Sequence, residues 1–364
     1  MKNKRPDILF IHQVDASFVR EDIRILKKIG NLKPFYFEAV RTNSLVLNLL
    51  LFIKRLTLQF WWLIKNIRNA QVIYCWFSDY HAFLPALFSQ VFNIPLITVL
   101  GGFDCNKNEE FNYGIFSSGW RAPIGKFVIS NNTILLPVDE TLIKTKSIAK
   151  NWPGAHPNGL KNNIPNFNTD WRVLPTGYDP EKWRAGLSQR EKSVVTVASC
   201  PNLTKALIKG LDLVIETAKL LESYSFTIVG IPDDLKKLLT DKYSPPENLK
   251  ILPSVPRKEL AAIYAESSVY LQPSRSEGMP NVLCEAMLCG CVPVGSPVFG
   301  IPNAIGDTGF IANEPDPKKI SSLIKEAHNQ AKELRPKARQ RIIEQFSLER
   351  REQELIEIIT EITK

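Results

Sequence analysis

Short apolar runs of strand length alternate with helix-period segments along the whole chain, and this alternation constrains the fold more than any other feature of the sequence. The first cycle comprises an apolar run at residues 8–12, an amphipathic segment at 18–29 and a second apolar run at 35–37. Repeated strand and helix patterns of this kind are typical of parallel sheets whose crossover connections are helices. The sequence therefore predicts an α/β protein.

The remaining elements fall into two series separated by a turn-rich run, Pro175 to Pro180, which suits a domain junction. Because 364 residues exceed what one hydrophobic core usually supports, we expect two domains, covering residues 1–178 and 179–345. Further strands of the first series are expected at 72–76, 96–100, 134–138 and 172–174, with helices at 80–92 and 140–149. The second series has strands at 194–198, 226–229, 249–252, 269–272 and 292–295, with helices at 206–221, 257–266, 281–288 and after Pro317 and Pro336.

The net charge of +9 is concentrated in the first half of the chain. Residues 1–180 contain 21 Lys and Arg against 13 Asp and Glu, whereas residues 181–364 contain 25 against 24. Such a basic half favours an anionic partner, which by charge alone is nucleic acid, an anionic membrane surface or a phosphorylated substrate. The basic runs at 318–319 and 335–341 alternate with acids or lie on helices, which is typical of solvated faces, so no nucleic acid partner is expected.

The six cysteines show no Cys-x-x-Cys pair and no regular spacing, and the N-terminus lacks the apolar core of a secretion signal. These patterns indicate a reduced, cytoplasmic chain. Cys284, Cys289 and Cys291 lie close together, but no histidine is near enough in sequence to complete a zinc site. We therefore expect buried reduced thiols at these positions.

Residues 45–68 are mostly apolar and are interrupted by Lys54, Arg55 and Lys65. A helix that spans a bilayer avoids charges near its middle, where Lys54 and Arg55 fall, so a spanning helix is not expected. Two alternatives stay open. The segment is either an amphipathic helix that lies in a membrane interface, anchored by Phe60, Trp61 and Trp62, or a helix buried in the protein core.

Residues 273–287, which follow the predicted strand 269–272, are the segment with the strongest chemical signal. Gly278 and Pro280 predict that a helix begins here, at the carboxyl end of a parallel strand, where free backbone N–H groups attract anions. Glu277 then precedes the helix and Glu285 lies within it. Two carboxylates beside an anion site suit the binding of sugar hydroxyls. Alternatively, each glutamate is an ordinary solvated residue.

The pattern Glu-Gly-x-Pro-Asn-x-x-x-Glu-Ala-Met from Glu277, followed by Cys-Gly-Cys-Val-Pro-Val, resembles the signature of the retaining glycosyltransferases of family 4 (glycosyl transferases group 1). Lys209-Gly210-Leu211-Asp212 and Val173 to Asp179 also resemble motifs of that family. The resemblance implies a GT-B fold, with two Rossmann-like domains whose parallel sheets face each other across a cleft. It also implies that residues 346–364 form a helix that crosses back to the N-terminal, acceptor-binding domain.

For the second half of the chain, the resemblance implies that Glu285 holds the nucleotide ribose, Glu277 a donor-sugar hydroxyl and Lys209 the diphosphate leaving group. Family members usually add an arginine where this chain has Ala198-Ser199-Cys200. Lys205 is the candidate substitute, although a solvated lysine is an equal alternative. The predicted donor-binding residues are Lys205, Lys209, Ser274, Glu277, Gly278, Met279, Pro280, Asn281, Val282 and Glu285, of which Lys209 and Glu277 are also predicted to be catalytic.

The predicted acceptor site lies in the first half, in the loop Gly101-Gly102-Phe103-Asp104 after the strand 96–100. Paired glycines allow a ligand to approach the backbone, and Asp104 is a candidate catalytic base for the acceptor hydroxyl, or else only shapes the loop through an Asx turn. Many relatives have a histidine in this region, which this chain lacks. His12, at the end of the first strand, is a further acceptor-binding candidate, or a histidine whose bonds are satisfied within the fold.

Together these features predict a retaining, metal-independent glycosyltransferase that uses a UDP- or GDP-sugar and a glycan or lipid-linked saccharide acceptor. No cofactor is expected, and the chain has no Asp-x-Asp pair that could hold a metal ion. The expected location is cytoplasmic, with peripheral contact to the inner membrane face through residues 45–68. Two alternatives are a sugar-nucleotide 2-epimerase of similar fold and a non-catalytic, membrane-associated nucleotide-sugar-binding protein.

Overall fold

The computed structural model describes residues 5–39, 42–145, 152, 157–186 and 190–364. Its contacts divide the chain into two compact units. The first unit comprises Met1–Lys144, Asn158–Gly177 and Glu349–Lys364, and the second comprises Thr145–Pro157 and Tyr178–Leu348. The chain therefore leaves the first unit within the turn-rich run Pro175 to Pro180 and returns to it after Leu348.

The first unit is built on a five-stranded parallel sheet in the order β2-β1-β3-β4-β5. The inner strands are buried because helices cover the sheet, which explains their nearly continuous apolar sequences. Its elements are β1 (Asp7–His12), α1 (Ser17–Ile29), β2 (Asn31–Tyr36), α2 (Leu45–Asn66), β3 (Val72–Trp76), α3 (Phe83–Phe92), β4 (Leu96–Leu100), α4 (Arg121–Ser130), β5 (Ile134–Pro137) and α5 (Leu160–Asn163).

Residues 172–174 do not form the predicted strand. Arg172 and Leu174 donate backbone hydrogen bonds to the carbonyls of Leu135 and Pro137, beside β5, but the pairing extends no further. Pro175 follows directly and has no N–H to continue it. The predicted helix at 80–92 begins as a short 3-10 turn before α3. The predicted helix at 140–149 is represented by a 3-10 turn at Glu140–Leu142, and its residues 146–149 lie outside the described residues.

The second unit contains a six-stranded parallel sheet in the order β11-β10-β9-β6-β7-β8. This order reverses direction between β6 and β9, as in the doubly wound sheets that bind nucleotides. Its elements are β6 (Ser193–Val197), α6 (Leu203–Ile208), α7 (Leu211–Leu220), β7 (Ser225–Val229), α8 (Asp233–Tyr243), β8 (Leu249–Leu252), α9 (Arg257–Glu266), β9 (Val269–Gln272), α10 (Asn281–Leu288), β10 (Val292–Gly295), α11 (Ile301–Ile305), β11 (Phe310–Ile311), α12 (Pro317–Asn329) and α13 (Ala331–Gln345).

Two helices of the second unit differ from the sequence prediction. The single helix expected at 206–221 is interrupted at Lys209 and Gly210, where Gly210 has a left-handed conformation, and becomes α6 and α7. The helix expected after Pro336 begins earlier, at Ala331, and accommodates the proline within it. The six cysteines are free and buried, including Cys284, Cys289 and Cys291, for which burial was predicted.

The last helix, α14 (Leu348–Ile362), is held in the first unit by a buried ion pair. The guanidinium of Arg351 donates to both carboxylate oxygens of Asp22, each at 2.7 Å, and to the carbonyls of Leu174 and Pro175. The hydroxyl of Tyr74 donates to the same aspartate. Because the buried charges of Arg351 and Asp22 are paired with each other and hydrogen-bonded, this ion pair attaches α14 to the first unit.

The apolar helix α2 is not buried in the core, which removes one of the two alternatives for residues 45–68. By length and composition, residues 45–69 would suffice to cross a membrane, yet only 11% of the most apolar stretch is buried in the described fold. Leu63 and Gln59 are its buried residues, whereas most of its other large apolar side chains are exposed.

Candidate functional site

The loop between β9 and α10 lies at the carboxyl edge of the second sheet, beside the point where the strand order reverses. β9 is flanked by β6 and β10, both parallel to it. Pro280 precedes the first residue of α10, Asn281, so the helix begins where the sequence predicted. The first N–H groups of any helix lack partners within it, which makes this edge suited to an anion.

Glu277 lies in this loop and is held by three hydrogen bonds to one carboxylate oxygen. Oε1 accepts from Nζ of Lys209 at 2.5 Å, from Nε2 of Gln272 at 3.0 Å and from the hydroxyl of Ser274 at 2.9 Å. Gln272 is itself oriented by the hydroxyl of Tyr270, which donates to its Oε1 at 2.8 Å. The carboxylate is only 9% exposed, so Glu277 is a positioned group and not a solvated loop residue.

Ser274, a predicted donor-binding residue, contacts Glu277 directly. Its side chain is fully buried, accepts from Gln272 and donates to Glu277. It thus orients Glu277, and direct contact of Ser274 with a donor stays a prediction. Gln272 and Tyr270 were missed by the sequence prediction because, within a buried strand, a single polar side chain gives no periodic signal.

Lys209 reaches Glu277 because the chain around Gly210 packs directly against the loop. A Cβ atom at Gly210 would lie 2.1 Å from the carbonyl oxygen of Pro273, and Gly210 has a φ of 72°. Arg275 secures the same contact through two 2.7 Å hydrogen bonds to the carboxylate of Asp212. Two segments more than 60 residues apart in sequence are therefore fixed together, which places the ammonium group of Lys209 beside Glu277.

Lys205 lies one helical turn before Lys209, at the start of α6. Both lysines act electrostatically on Cys200, whose pKa is raised to about 11 by burial and lowered in part by these two positive charges. The backbone N–H of Lys205 is capped by Asn202 at 3.0 Å. The predicted lysine pair is therefore brought to one neighbourhood, next to the segment where family members carry an arginine.

Glu285 occupies a buried position on α10, contrary to the alternative of an exposed helix residue. Its side chain is 7% exposed, and its Oε1 accepts from Arg257 at 3.0 Å. Burial raises the pKa of Glu285 to about 7, against the opposing effect of the Arg257 charge. Arg257, whose guanidinium lies 5.3 Å from the ring centre of Trp183, was not predicted.

The remaining predicted donor-binding residues line the start of α10. Gly278, Met279 and Pro280 are buried, and the carbonyl of Gly278 accepts from the N–H of Gly300 at 3.0 Å. Asn281 accepts from the hydroxyl of Tyr178 at 2.8 Å, and it and Val282 are partly exposed. These contacts fix the backbone of the loop in one conformation, which is the requirement for backbone recognition of a ligand.

In the first unit, the glycine loop after β4 is shaped by Asp104. Its fully buried carboxylate accepts from the backbone N–H groups of Gly101 at 3.1 Å, Gly102 at 2.9 Å and Ser78 at 3.3 Å. Burial raises the pKa of Asp104 to about 6. These contacts shape the loop through N–H groups that precede Asp104 in sequence, which is not the pattern of an Asx turn, and a catalytic role of Asp104 stays a prediction.

Gly101 and Gly102 are packed within this loop, and their backbone N–H groups are not open to a ligand. The ring of Phe77 lies against Gly101, where a Cβ atom would approach Phe77 Cε1 to 2.2 Å. The N–H groups of Gly101 and Gly102 are both engaged by Asp104. A ligand that contacts this loop would therefore meet the Phe77 side chain before the backbone at Gly101.

His12 lies at the end of β1, beside β3, where the strand order of the first sheet reverses. Its Nδ1 contacts the carbonyl of Val14 at 2.9 Å, which favours a proton on that nitrogen and leaves Nε2 as an acceptor. Burial lowers the pKa of His12, so the neutral ring is favoured. A position at a reversal of strand order suits ligand binding, and acceptor contact by His12 stays a prediction.

An unpredicted ion pair joins Arg121 to the buried Asp79 in the same unit. The guanidinium of Arg121 also lies 4.7 Å from the ring centre of Phe103.

Among the residues that the structure describes, no group of three or more His, Cys, Asp or Glu side chains could hold a metal ion. The predicted independence from metals stays a prediction.

The architecture of the chain is shared with solved glycosyltransferases of the GT-B class. Sucrose-phosphate synthase from Thermosynechococcus elongatus has a TM-score of 0.72 at 12% identity, covering 98% of this chain and 99% of that one. Anabaena Alr3699/HepE, solved in complex with UDP and glucose, has a TM-score of 0.68 at 13% identity, covering 97% and 99%. The chain thus has the predicted GT-B fold.

Residues 181–345 match the family model described as glycosyl transferases group 1. A phosphatidylinositol N-acetylglucosaminyltransferase component of Arabidopsis thaliana is 22% identical over 161 residues, 43% of this chain and 36% of that protein. O-antigen chain mannosyltransferase B of Escherichia coli is 33% identical over 95 residues, 26% of this chain and 25% of that protein. The matches span about a third or less of these relatives. Residues 181–345 are thus similar to the glycosyl transferases group 1 family, and the narrower assignment to family 4 stays a prediction.

The close approach of Gly210 to Pro273 can be tested by Gly210→Ala. The added methyl group meets a backbone carbonyl and forces a strained left-handed alanine, so we expect a loss of about 2 kcal/mol or more in unfolding free energy by urea titration. Gly119→Ala is the matched control, because nothing lies within 4 Å of its Cβ position, and it should stay within about 1 kcal/mol. Equal unfolding free energies for the two variants would contradict the packing described.

Proposed function

We propose that the protein is a glycosyltransferase that takes a sugar from a nucleoside diphosphate sugar and transfers it to a glycan or lipid-linked saccharide. The observation that carries this proposal is the pairing of Lys209 with Glu277 at the start of α10, with the buried Glu285 eight positions later. A cation and free N–H groups suit a diphosphate, and carboxylates suit hydroxyl groups. The related fold that was solved with UDP and glucose supports the same class of donor.

In the proposed complex, Lys209 and the N-terminal end of α10 bind the diphosphate. Lys209 keeps two further N–H donors beyond the one directed at Glu277, so it can contact phosphate while Glu277 stays in place. As the bond to the sugar breaks, negative charge grows on the leaving diphosphate, and a cation fixed in advance stabilises that charge without reorganisation. Lys205, on the same side of α6, adds a second positive charge nearby.

Glu277 is proposed to accept hydrogen bonds from the donor sugar. Its Oε1 already has three donors, which leaves Oε2 for a sugar hydroxyl. Glu285 is proposed to accept from the ribose hydroxyls. Neither carboxylate needs to exchange a proton with the reacting atoms. Three further parts of the proposal rest on the resemblance of the Glu277 to Met287 motif to the family: retention of the anomeric configuration, the UDP or GDP base of the donor, and independence from metal ions.

The proposal is tested with a panel of UDP- and GDP-sugars in the full-length protein. We expect at least one donor to bind, to be hydrolysed slowly without an acceptor, and to give an α-linked product from an α-linked donor by nuclear magnetic resonance. Glu277→Ala should lower turnover at least about tenfold while donor affinity changes less. Lys258→Ala, an exposed lysine next to Arg257, is the control and should behave as the wild type.

Three outcomes would contradict this proposal. Binding without turnover on every glycan or lipid-linked acceptor would favour a non-catalytic nucleotide-sugar-binding protein. Conversion of the donor sugar at C2 without transfer would favour an epimerase. Absence of binding to any sugar nucleotide would remove the donor site altogether.

The raised pKa of Glu285 gives donor binding a pH dependence. An ionised carboxylate accepts from two ribose hydroxyls more strongly than the protonated acid, which turns one oxygen into a donor, and a pKa of about 7 leaves Glu285 largely protonated at pH 6. Donor affinity should therefore rise about tenfold between pH 6 and pH 8, as measured by calorimetry with an intact sugar nucleotide, whose phosphates do not titrate in this range.

Two variants separate Glu285 from other titrating groups. Glu285→Gln should bind weakly and with the same affinity at both pH values. Arg257→Met removes the charge that lowers the pKa of Glu285, so the rise in affinity should move to higher pH. A wild-type affinity that is flat or falls with pH would show that Glu285 does not bind the ribose as a carboxylate.

A further inference from the structure

Helix α2 is turned so that its apolar residues face outward. Val46, Leu50 and Trp61 lie along one side of the helix and are 69%, 58% and 63% exposed. Ile53 and Ile64 lie on the same side of the helix and are also exposed. A surface helix of a soluble protein normally shows its charged and polar residues on this side.

Three polar residues of α2, Asn48, Arg55 and Gln59, face the first unit. Gln59 is fully buried and donates to the carbonyl of His81 at 2.7 Å. Arg55 forms an ion pair with Glu38, and Asn48 donates to the carbonyl of Thr42 at 2.9 Å. Because these bonds fix the rotation of α2, the outward position of its apolar residues is built into the fold.

The exposed apolar surface continues onto neighbouring segments of the same unit. The ring of Phe60 lies 5.6 Å from that of Phe88, which stacks on Phe92 at 5.7 Å. Val91, one residue earlier on α3, is 69% exposed. Nearer the N-terminal end of α2, the exposed ring of Trp120 lies 6.5 Å from Phe52. The contiguous surface, which we call the docking face, includes the outward side of α2, the end of α3 and Trp120.

The charged residues of α2 itself are all positive. The sequence has no Asp or Glu between Glu38 and Asp79, whereas Lys54, Lys65 and Arg68 are exposed on α2 and directly after it. The positive charge of Arg55, by contrast, is paired with Glu38. Exposed aliphatic residues, a tryptophan and uncompensated cations on one side of a helix are the composition that binds the interface of an anionic bilayer.

We propose that the docking face binds the first unit to the surface of an anionic lipid bilayer, with α2 lying in the plane of the interface. Crossing the bilayer would require α2 to leave the first unit, and this would expose Arg55 and Gln59 to lipid and break their bonds to Glu38 and His81. This inference goes beyond the proposed donor chemistry and does not depend on it, because the residues concerned belong to the first unit alone.

The test is flotation of the full-length protein with vesicles of phosphatidylglycerol and phosphatidylcholine, compared with vesicles of phosphatidylcholine alone. We expect binding to the anionic vesicles, weakened by salt because the charges are exposed. Leu50→Ser/Trp61→Ser removes two outward side chains and should reduce the partition constant at least about tenfold. Leu220→Ser/Leu238→Ser, a pair of similarly exposed leucines in the second unit, is the matched control and should bind as the wild type.

Lys54→Gln/Lys65→Gln should weaken binding to anionic vesicles and reduce its dependence on salt. Thermal unfolding of each double variant separates lost docking from lost folding, because all six positions are exposed and their replacement should leave the unfolding temperature nearly unchanged.

Four results would overturn the proposal. These are no flotation of the wild type, equal flotation of Leu50→Ser/Trp61→Ser and the wild type, a vesicle-bound fraction that resists alkaline carbonate extraction, and sedimentation as a dimer that this variant abolishes. The third result would indicate a spanning helix, and the fourth an interface between copies of the chain.

Discussion

The contact between Gly210 and the carbonyl of Pro273 is the constraint on which the candidate site depends. No side chain fits between these two backbones, so the segment that carries Lys209 and the loop that carries Glu277 approach more closely than side chains normally allow. The ion pair between Arg275 and Asp212 closes the same contact from the other side. A lysine and a carboxylate from distant parts of the sequence are thereby held in hydrogen-bond contact before any ligand arrives.

The two glutamates of the motif differ because their surroundings differ. Glu277 has three donors on one oxygen, supplied by a lysine, an amide and a hydroxyl, which fix its orientation. Glu285 has a single charged partner in an otherwise buried setting, which raises its pKa to about 7. The same residue type is thus used once as a rigidly positioned acceptor and once as a group whose charge depends on pH.

Much of the fold could be predicted from the sequence because its information is periodic. Buried parallel strands such as β3, β4, β9 and β10 are short apolar runs, and each was predicted with its observed bounds. The helix break at Gly210 was missed, because a single glycine within a helical pattern does not reveal that a distant carbonyl will occupy the space of its side chain. The helix start at Ala331 was missed because the helix was expected only after Pro336, and proline is unfavourable inside a helix.

For the candidate site, sequence reasoning located Lys209, Glu277 and Glu285 through a specific motif, but it could not find their partners. Gln272 and Arg257 are brought to these groups by the sheet order and by helix packing, which leave no pattern in the sequence. For Asp104 the sequence left two alternatives, catalysis and loop shaping, and it could not reveal the burial and the backbone hydrogen bonds through which this carboxylate shapes the loop.

The central claim is that the start of α10, Lys209 and Glu285 together form the site of a nucleoside diphosphate. A crystal structure of the protein with UDP or GDP tests this most directly. We expect phosphate oxygens within hydrogen-bond distance of Lys209 Nζ and the first N–H groups of α10, and ribose hydroxyls on the carboxylate of Glu285. A nucleotide bound elsewhere, with the Lys209 to Glu277 and Arg257 to Glu285 contacts unchanged and no ligand beside them, would contradict the account.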